Sequence, residues 1–254
     1  MHLQDLCSRF DDRLSQESFD DIDPSANGLQ VGPDTQSVDK VGFAVDAAME
    51  TINQAIEAGA DVLVTHHGII WNDIERVTGQ TYTRLNTLMT ANMSLYVSHL
   101  PLDGHQEIGN AASIASLLDL TDRRPFGQVG DEYIGQQGSF DTPTSLSRLV
   151  EIISSDVARE FEPKVFEFGP DTVTSVGIVT GSGADHIHAA AEHDIDCFIT
   201  GEGKQHLYHD AKEHEINVIL GGHYGTEVFG VKHLQTLAEE WGLETVFIDH
   251  PTRL

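Results

Sequence analysis

The sequence predicts an α/β protein made of internally duplicated βαβ halves with mainly parallel sheets and a smaller inserted α+β segment. Apolar strand-like runs alternate with amphipathic helical segments along most of the 254 residues. Residues 41–68 align without gaps with residues 176–203. The region 125–170 instead begins with a stretch rich in glycine, glutamine and threonine. We therefore expect a discontinuous, duplicated core of 1–124 and 171–254 that carries the functional site, with 125–170 as an inserted segment of the second domain.

The first half of the chain shows the alternation of strands and helices most clearly. Leu3, Leu6, Phe10 and Leu14 recur at helical spacing, which predicts an amphipathic helix at the start. The elements predicted after it are a strand at 41–46, a helix at 48–58, a strand at 62–65, a helix around Leu85 and Leu88, a strand at 94–98 and a helix around Ile114 to Leu118.

The second half begins with a different pattern and then returns to alternation. From about residue 121, short alternating apolar runs predict a pair of antiparallel strands. The later predicted elements are a helix at 146–157, strands at 165–168 and 176–180, a helix at 185–192, a strand at 197–200, a helix at 206–214, a strand at 218–220, a helix at 226–241 and a strand at 245–248.

The composition is strongly acidic, with 41 acidic residues, 14 basic residues and a formal charge of −27. A field of this sign disfavours nucleic acid and anionic membranes as partners. The acidic residues are spread along the chain, which favours a solvated, salt-adapted surface of the halophilic type. The start of the chain lacks the pattern of a signal peptide, and no apolar run is long enough to span a membrane, so we expect a cytoplasmic protein.

Two cysteines, Cys7 and Cys197, lie far apart among apolar neighbours. We expect both to be buried thiols, because neither has the spacing of a metal-binding cysteine pair. The metal-binding signal comes from the segment VLVTHHG, a buried-strand pattern that ends in His66 and His67. Ligands gather at the carboxyl ends of strands in open α/β sheets. These histidines are therefore candidate metal ligands, although loop histidines bound to backbone carbonyl groups would give the same sequence.

The aligned halves match in polar residues as well as in apolar pattern. Asp61 aligns with Asp196, and Thr65 aligns with Thr200. Any two βαβ units look broadly alike, but matching polar residues at strand ends favour duplication. A duplicated fold would bring both sets of strand ends to one shared cleft, where ligands that are distant in sequence converge.

The next strand of each half continues the match with a shift. A histidine precedes a carboxylate by four residues in both, His99 with Asp103 and His223 with Glu227. Asp103 could instead cap a helix, and Glu227 could simply complement a helix dipole. Histidine and carboxylate donors without cysteine suit zinc, manganese, iron(II), cobalt or nickel.

Adjacent histidines in an extended strand point to opposite sides, so His66 and His67 suit two ions better than one. A carboxylate such as Glu227 can bridge two ions. Two metal ions roughly 3.5–4 Å apart, bridged by water, are the usual hydrolytic arrangement. Two weaker signals remain open: His206 and His209 could form another site or a solvated helix face, and the loop 180–183 could hold a phosphate.

Five sequence blocks resemble those of the NIF-three-like family, often called type 2 homologues of GTP cyclohydrolase I. They are NGLQVG, VTHHGIIW, SHLPLD, ITGEGKQH and GGHYGTE, in family order between Asn27 and Glu227. The resemblance implies a two-domain α/β fold, a ring-shaped hexamer with a central cavity, and two divalent metal ions per chain facing that cavity. Together with the acidic composition, it indicates a halophilic archaeal source.

The resemblance also implies a ligand set. The family's metal ligands correspond to His66, His67, Asp103, His223 and Glu227, with Glu227 as the bridge. The repeat would make His99 a ligand by analogy with His223, whereas the family pattern places it beside the metals together with Glu202 and His206. One departure is a glycine at position 68, where many members have proline.

These observations predict a metal-dependent hydrolase that acts on a nucleotide or a related phosphorylated small molecule. The two ions would activate water, and His99, Glu202 or His206 would move protons. The alternative is a non-enzymatic metal-binding ring that serves as a scaffold for protein partners.

Overall fold

The computed structural model describes residues 1–33, 35–159 and 161–254. The chain forms two compact units, each with its own sheet. The first unit contains Met1–Leu102 and Gly230–His250, and the second contains Asp103–Phe229 and Pro251–Leu254. Among the described residues, no helix combines the length and the apolar character needed to cross a membrane.

The first unit is built on a five-stranded sheet. Its strands in spatial order are β1 (Gly28–Val31), β4 (Ser94–Val97), β3 (Val62–His67), β2 (Lys40–Asp46) and β11 (Glu244–Phe247). The last four are parallel to one another, whereas β1 pairs antiparallel with β4 at one edge. Strand β11 comes from the far end of the chain and completes the other edge beside β2.

Helices α1 (Leu3–Leu14), α2 (Met49–Glu57) and α3 (Gly79–Thr90) belong to the first unit. The predicted apolar stripe of α1 is buried along its whole length. The strands β3 and β4 are almost wholly buried, as their continuous apolar runs predict. The core between helices and sheet includes Ile52, Leu63, Leu88 and Leu95, all fully buried.

The second unit is built on a six-stranded mixed sheet. Its strands in spatial order are β5 (Thr121–Val129), β6 (Glu132–Ser145), β8 (Thr172–Ile178), β9 (Cys197–Thr200), β10 (Asn217–Leu220) and β7 (Lys164–Phe166). Strands β8, β9 and β10 are parallel, whereas β5, β6 and β7 are antiparallel to their neighbours. The α/β class is confirmed, and the predicted antiparallel pair is the hairpin β5–β6.

The segment 125–170 contributes strands to the second sheet. The segment 125–170 lies inside the second unit, because β6 pairs directly with β8 and β7 pairs with β10. The remaining helices are α4 (Leu100–Gly104), α5 (Asn110–Leu117), α6 (Leu146–Ile152), α7 (Ile187–Glu192), α8 (Gln205–Glu213) and α9 (His223–Glu240). The single helix predicted at 146–157 is α6 followed by a π-helical turn, Ile153–Val157.

The pairing of strands follows the internal repeat. Val41 lies opposite Val62 in the first sheet, and the aligned residues Val176 and Cys197 lie opposite each other in the second. The parallel pairs β2–β3 and β8–β9 therefore share one register. This agreement is expected of a duplicated βαβ unit.

The aligned aspartates Asp61 and Asp196 make equivalent hydrogen bonds at the start of these strands. Asp61 Oδ2 accepts hydrogen bonds from the backbone N–H groups of residues 39 and 40, at 2.8 and 3.0 Å. Asp196 Oδ2 accepts them from residues 174 and 175, at 2.7 and 3.0 Å. The repeat therefore extends from the apolar pattern to individual side-chain contacts.

Both cysteines are buried, as predicted, and neither forms a disulfide. Burial, with a smaller contribution from the charge of Asp11, raises the pKa of Cys7 to about 12. Burial also raises the pKa of Cys197 far above its usual range. These thiols are protonated packing residues at neutral pH and not nucleophiles.

Candidate metal centre

Three histidines cluster at the carboxyl edge of the first sheet. His66 and His67 end β3, and His99 follows the adjacent parallel strand β4. One ring nitrogen from each histidine lies within 4.8 Å of a ring nitrogen of each of the other two. The ring centroids of His66 and His67 are 4.6 Å apart, and that of His99 lies 5.1 and 5.6 Å from them. The predicted histidine pair therefore has a third histidine beside it.

All three imidazole rings are oriented through Nδ1. Its partners are the Ser98 carbonyl oxygen for His66 at 3.0 Å, an Asp46 carboxylate oxygen for His67 at 2.8 Å and an Asp23 carboxylate oxygen for His99 at 2.8 Å. Because these partners are acceptors, we assign the proton of each neutral ring to Nδ1, which leaves the Nε2 lone pair for a ligand. Metal-binding histidines are commonly held in this way.

Asp23 is the more enclosed of the two carboxylate acceptors, with a side chain that is 1 % exposed against 32 % for Asp46. It also accepts hydrogen bonds from the backbone N–H groups of Ser25 and Leu100 and from the Asn27 amide, at 2.8 to 2.9 Å. Burial alone would raise the pKa of Asp23, but these bonds and the contact with His99 hold it below its usual range. An ionised carboxylate therefore orients His99.

The loop after His67 is held by the side chain of Gln30. Gln30 Oε1 accepts hydrogen bonds from the backbone N–H groups of Ile69 and Ile70, at 2.9 and 3.0 Å, and Nε2 donates back to the Ile70 carbonyl oxygen at 3.2 Å. Trp71 follows this loop with its ring centroid 5.0 Å from that of His99, and it is 38 % exposed. An indole ring therefore borders the histidine cluster.

The second unit holds another group of donors at the start of α9. His223 Nε2 lies 3.2 Å from Glu227 Oε2, one helical turn away, and His223 Nδ1 lies 2.9 Å from Glu202 Oε1. Burial lowers the pKa of His223, but the hydrogen bonds and charges of Glu227 and Glu202 outweigh it and raise that pKa to about 9. His223 thus shares with the first-unit histidines a hydrogen-bond partner on Nδ1.

Glu202 is oriented by a second contact. Its Oε1 accepts a hydrogen bond from the Ser182 hydroxyl. The hydrogen bond from Ser182 has the largest effect on the pKa of Glu202, and it lowers that pKa. Burial raises the pKa, but the contact with His223 lowers it further, so the pKa lies below its usual range. The Glu202 side chain is 44 % exposed, so it connects His223 to solvent.

Glu227 is buried, 3 % exposed, and lies against the loop that follows β8. Gly181 in this loop has a φ of +55°, and its backbone N–H donates to the Thr226 hydroxyl at 3.1 Å. A Cβ atom at position 181 would overlap Glu227 Oε1. The glycine loop considered above as a phosphate site therefore packs against a carboxylate, and a side chain at position 181 would not fit beside Glu227.

Asp103 is also buried, 6 % exposed, in the short helix α4. One carboxylate oxygen, Oδ1, accepts hydrogen bonds from the Asn110 amide at 2.8 Å and the Thr180 hydroxyl at 2.9 Å. Both of these donors are buried as well. A buried carboxylate held by two donors has a fixed orientation.

His206 differs from the other predicted site residues. It lies in the first turn of α8, and its Nε2 is 3.3 Å from a carboxylate oxygen of Asp185. Asp185 also forms an ion pair with Lys204. His99 and Glu202 contact or adjoin predicted ligands, whereas the described ion pair of His206 is with Asp185.

The clustered donor groups are imidazole nitrogens and carboxylate oxygens. This chemistry fits zinc, iron(II), manganese, cobalt or nickel. Sequence reasoning missed Asp23, Asp46 and Ser182, which orient the donors. Local signals lay near all three, since Asp46 ends the predicted strand 41–46, Ser182 lies in the glycine loop 180–183, and the block NGLQVG contains Asn27, a partner of Asp23.

The comparisons with known proteins agree over the whole chain. The sequence model of the family described as Duf34/NIF3 (NGG1p interacting factor 3) matches residues 1–253. Curated relatives named GTP cyclohydrolase 1 type 2 homolog include those of Halobacterium salinarum, 47 % identical, and Pyrococcus abyssi, 39 % identical, each aligned over 100 % of both chains. The crystal structure of TTHA1606 from Thermus thermophilus matches with a TM-score of 0.89 and 37 % identity over 100 % of both chains.

Proposed function

Because this chain is a member of the Duf34/NIF3 family, we propose that it is a hydrolase dependent on two divalent metal ions. Its substrate in this proposal is a nucleotide or a related phosphorylated small molecule. The observation that carries the proposal is the shared orientation of four histidines. Each has Nδ1 against an acceptor, an arrangement that presents Nε2 to a metal ion once the ring is neutral.

The proposed metal ligands are His66, His67, Asp103, His223 and Glu227, with Glu227 as the bridging carboxylate. Imidazole and carboxylate ligands of this kind support zinc, iron, manganese, cobalt or nickel as the bound metal. When bound, such ions lower the pKa of water and stabilise negative charge that develops in the transition state.

The residues around the proposed ligands supply proton transfer. Glu202 contacts His223 Nδ1 and is partly open to solvent, so we assign it the transfer of protons to and from that ring. His99 is oriented by ionised Asp23 and lies beside His66 and His67, which suits it to hold a proton at Nε2 or to accept one there. His206, which pairs with Asp185, is a third proton carrier in the proposal.

The first experiment measures the metal content of untagged protein purified in high salt. We expect about two ions per chain by elemental mass spectrometry. Glu227→Gln should lower this content sharply, because an amide is a poor bridging ligand. Glu213→Gln, a change of the same kind on the exposed part of α8, should leave it unchanged. Protein that takes up no metal, even after soaking with zinc, manganese or iron, would overturn the proposal.

A second measurement follows metal binding at the first-unit histidines directly. The chain has two tryptophans, Trp71 beside His99 and Trp241 packed against Phe10. In a Trp241→Phe background, Co²⁺ should quench the fluorescence of Trp71. Adding His66→Ala should abolish the quenching at the same Co²⁺ concentration, whereas His214→Ala on the exposed end of α8 should preserve it. Equal quenching in all three proteins would exclude the assignment of His66.

Turnover is tested with GTP first, since the names of the relatives refer to it. Release of formate or phosphate by the metal-loaded protein, lost in Glu227→Gln, would support the hydrolase. Light scattering should show that both proteins keep the proposed homohexamer. Protein that binds two metals and assembles but hydrolyses no member of a nucleotide panel would instead favour the scaffold alternative.

A further inference from the structure

A separate cavity of about 280 Å³ lies in the second unit, at the end of its sheet formed by β10 and β7. Leu220, the last residue of β10, pairs with Lys164, the first residue of β7, and both line the cavity. The first residue of α8, Gln205, lines it as well. The carboxyl end of β10, a parallel strand, therefore opens into this cavity, which is where open α/β sheets bind ligands.

The cavity concentrates positive charge in an acidic protein. The chain has five lysines and a formal charge of −27, yet Lys164 and Lys204 both line this one cavity. No carboxylate among the described residues lies within ion-pair distance of Lys164. Lys204 pairs with Asp185, but both side chains are about half exposed, so this ion pair contributes little and can exchange for a ligand.

Two aromatic residues, Phe166 and Tyr208, also line the cavity. Tyr208 is 41 % exposed, and its ring packs edge to face against Phe166 at 5.3 Å and Phe168 at 5.1 Å. Lys164 Nζ lies 5.4 Å from the centroid of the Phe166 ring. The tyrosine is thus held by two phenylalanines while part of its surface stays available for stacking.

We propose that this cavity binds a small ligand that combines a planar aromatic ring with a phosphate-like anionic group. The ring would pack against Tyr208, and the anion would lie between Lys164 and Lys204. A volume of about 280 Å³ is close to the lower limit of roughly 300 Å³ for drug-sized pockets, so the ligand is small. This inference does not depend on metal binding or on hydrolysis.

The test is calorimetric titration of the full-length protein with phenylphosphonate in the presence of EDTA. Phenylphosphonate has both groups and no ester bond to hydrolyse. We expect one site per chain with a Kd below about 1 mM. Because each half of the ligand meets a different wall, phenol and methylphosphonate should each bind at least about tenfold more weakly. Adenosine 5′-monophosphate, titrated in parallel, distinguishes a nucleotide ligand from a single-ring ligand.

Three substitutions assign the walls of the cavity. Lys164→Gln and Lys204→Gln should each weaken phenylphosphonate about fivefold or more and leave phenol unchanged. Tyr208→Leu should weaken both compounds. The control is Lys232→Gln, which removes the same charge from a lysine over the Phe247 ring in the first unit, 4.9 Å from its centroid. It should leave every Kd unchanged.

Two results would overturn the inference. One is the lack of saturable binding of both phenylphosphonate and adenosine 5′-monophosphate by folded protein. The other is an equal loss of affinity in Lys164→Gln, Lys204→Gln and Lys232→Gln, which would show a general effect of net charge. Since the titrations are made without metal, their failure is distinguishable from failure of the proposed hydrolase, which the metal content tests.

Discussion

At the scale of single residues, the acceptors behind the histidines control what the rings can do. A neutral imidazole has one N–H and one lone pair, so an acceptor on Nδ1 directs the lone pair to Nε2. Asp46, Asp23 and Glu202 are such acceptors for His67, His99 and His223. None of the three acceptors belongs to the proposed ligand set, yet each fixes the chemistry of its histidine.

We predict that Asp46→Ala weakens metal binding by about 10- to 100-fold, the usual cost of losing the hydrogen-bond partner of a metal-binding histidine. The cause is that His67 Nδ1 loses its acceptor at 2.8 Å. Competition with a chelating dye measures the affinity. Asp39→Ala removes the same charge from an exposed position just before β2 and should leave the affinity unchanged. Equal losses in both variants would refute this role for Asp46.

Sequence patterns could identify the histidines but not their partners. His66 and His67 end a recognisable buried strand, and the resemblance to a known family singled out the other proposed ligands. Asp23 and His99 are 76 residues apart, and no local periodicity links them. The partner of His206, Asp185, is likewise set by how α8 packs beside the segment before α7. Such contacts are tertiary, so single-residue patterns do not encode them.

At the scale of elements, one loop is shaped by the carboxylate beside it. We predict that Gly181→Ala both destabilises the protein and weakens metal binding, since the new Cβ overlaps Glu227 Oε1. Gly79→Ala is the matched control, because Gly79 has a φ of +59° and open space around it. In the control, the free energy of unfolding should fall by only about 1 kcal/mol, because alanine is disfavoured in the left-handed backbone region, and the metal affinity should not change.

Chemical denaturation and chelator competition measure the two effects for Gly181→Ala. A free energy of unfolding and a metal affinity equal to those of Gly79→Ala would contradict the collision with Glu227. A loss of stability with unchanged metal affinity would show that the contact between the loop and Glu227 does not affect metal binding.

The repeated aspartates at the strand starts give a second prediction at this scale. Asp61→Ala and Asp196→Ala should each lower the free energy of unfolding by about 1–3 kcal/mol, because each leaves two backbone N–H groups without their carboxylate acceptor. Asp171→Ala, at an exposed position, should change it by less than about 0.5 kcal/mol. Denaturant titration measures the free energy of unfolding. If either substitution left it unchanged, the corresponding hydrogen bonds would contribute nothing to stability.

Most helices and strands could be predicted because their apolar residues recur over a stretch long enough to distinguish helical from strand periodicity. The strand β8 is an instructive exception, since it was expected at 176–180 and is Thr172–Ile178. Its early residues are threonine, valine and serine at the end of a loop, where burial alternates and the apolar signal is weak. The π-helical turn after α6 also lacked a signal, because its residues continue the helical pattern.

At the scale of the whole molecule, the acidic surface should make folding depend on salt. The repulsion among 41 acidic residues is screened over about 8 Å at physiological ionic strength and about 3 Å at 1 M. We predict that the unfolding temperature rises steadily between about 0.2 M and about 3 M KCl. Differential scanning calorimetry measures it at constant metal content.

A charge-reduced variant provides the control for salt dependence. Asp12→Asn, Glu213→Gln and Glu240→Gln together remove three exposed negative charges. They should raise the unfolding temperature at low salt and have little effect at high salt, where screening already removes the repulsion. A variant with the same salt response as the parent would indicate specific ion binding at other places as the cause.

The position of β11 beside β2 imposes an order on biosynthesis. A ribosome makes every strand of the second sheet before it makes β11, which is an outer strand of the first. Ile248, just after β11, is part of the buried core of the first unit. The nascent first sheet therefore has one unpaired edge at a time when every strand of the second sheet has been made, so the first sheet is the later of the two to be completed.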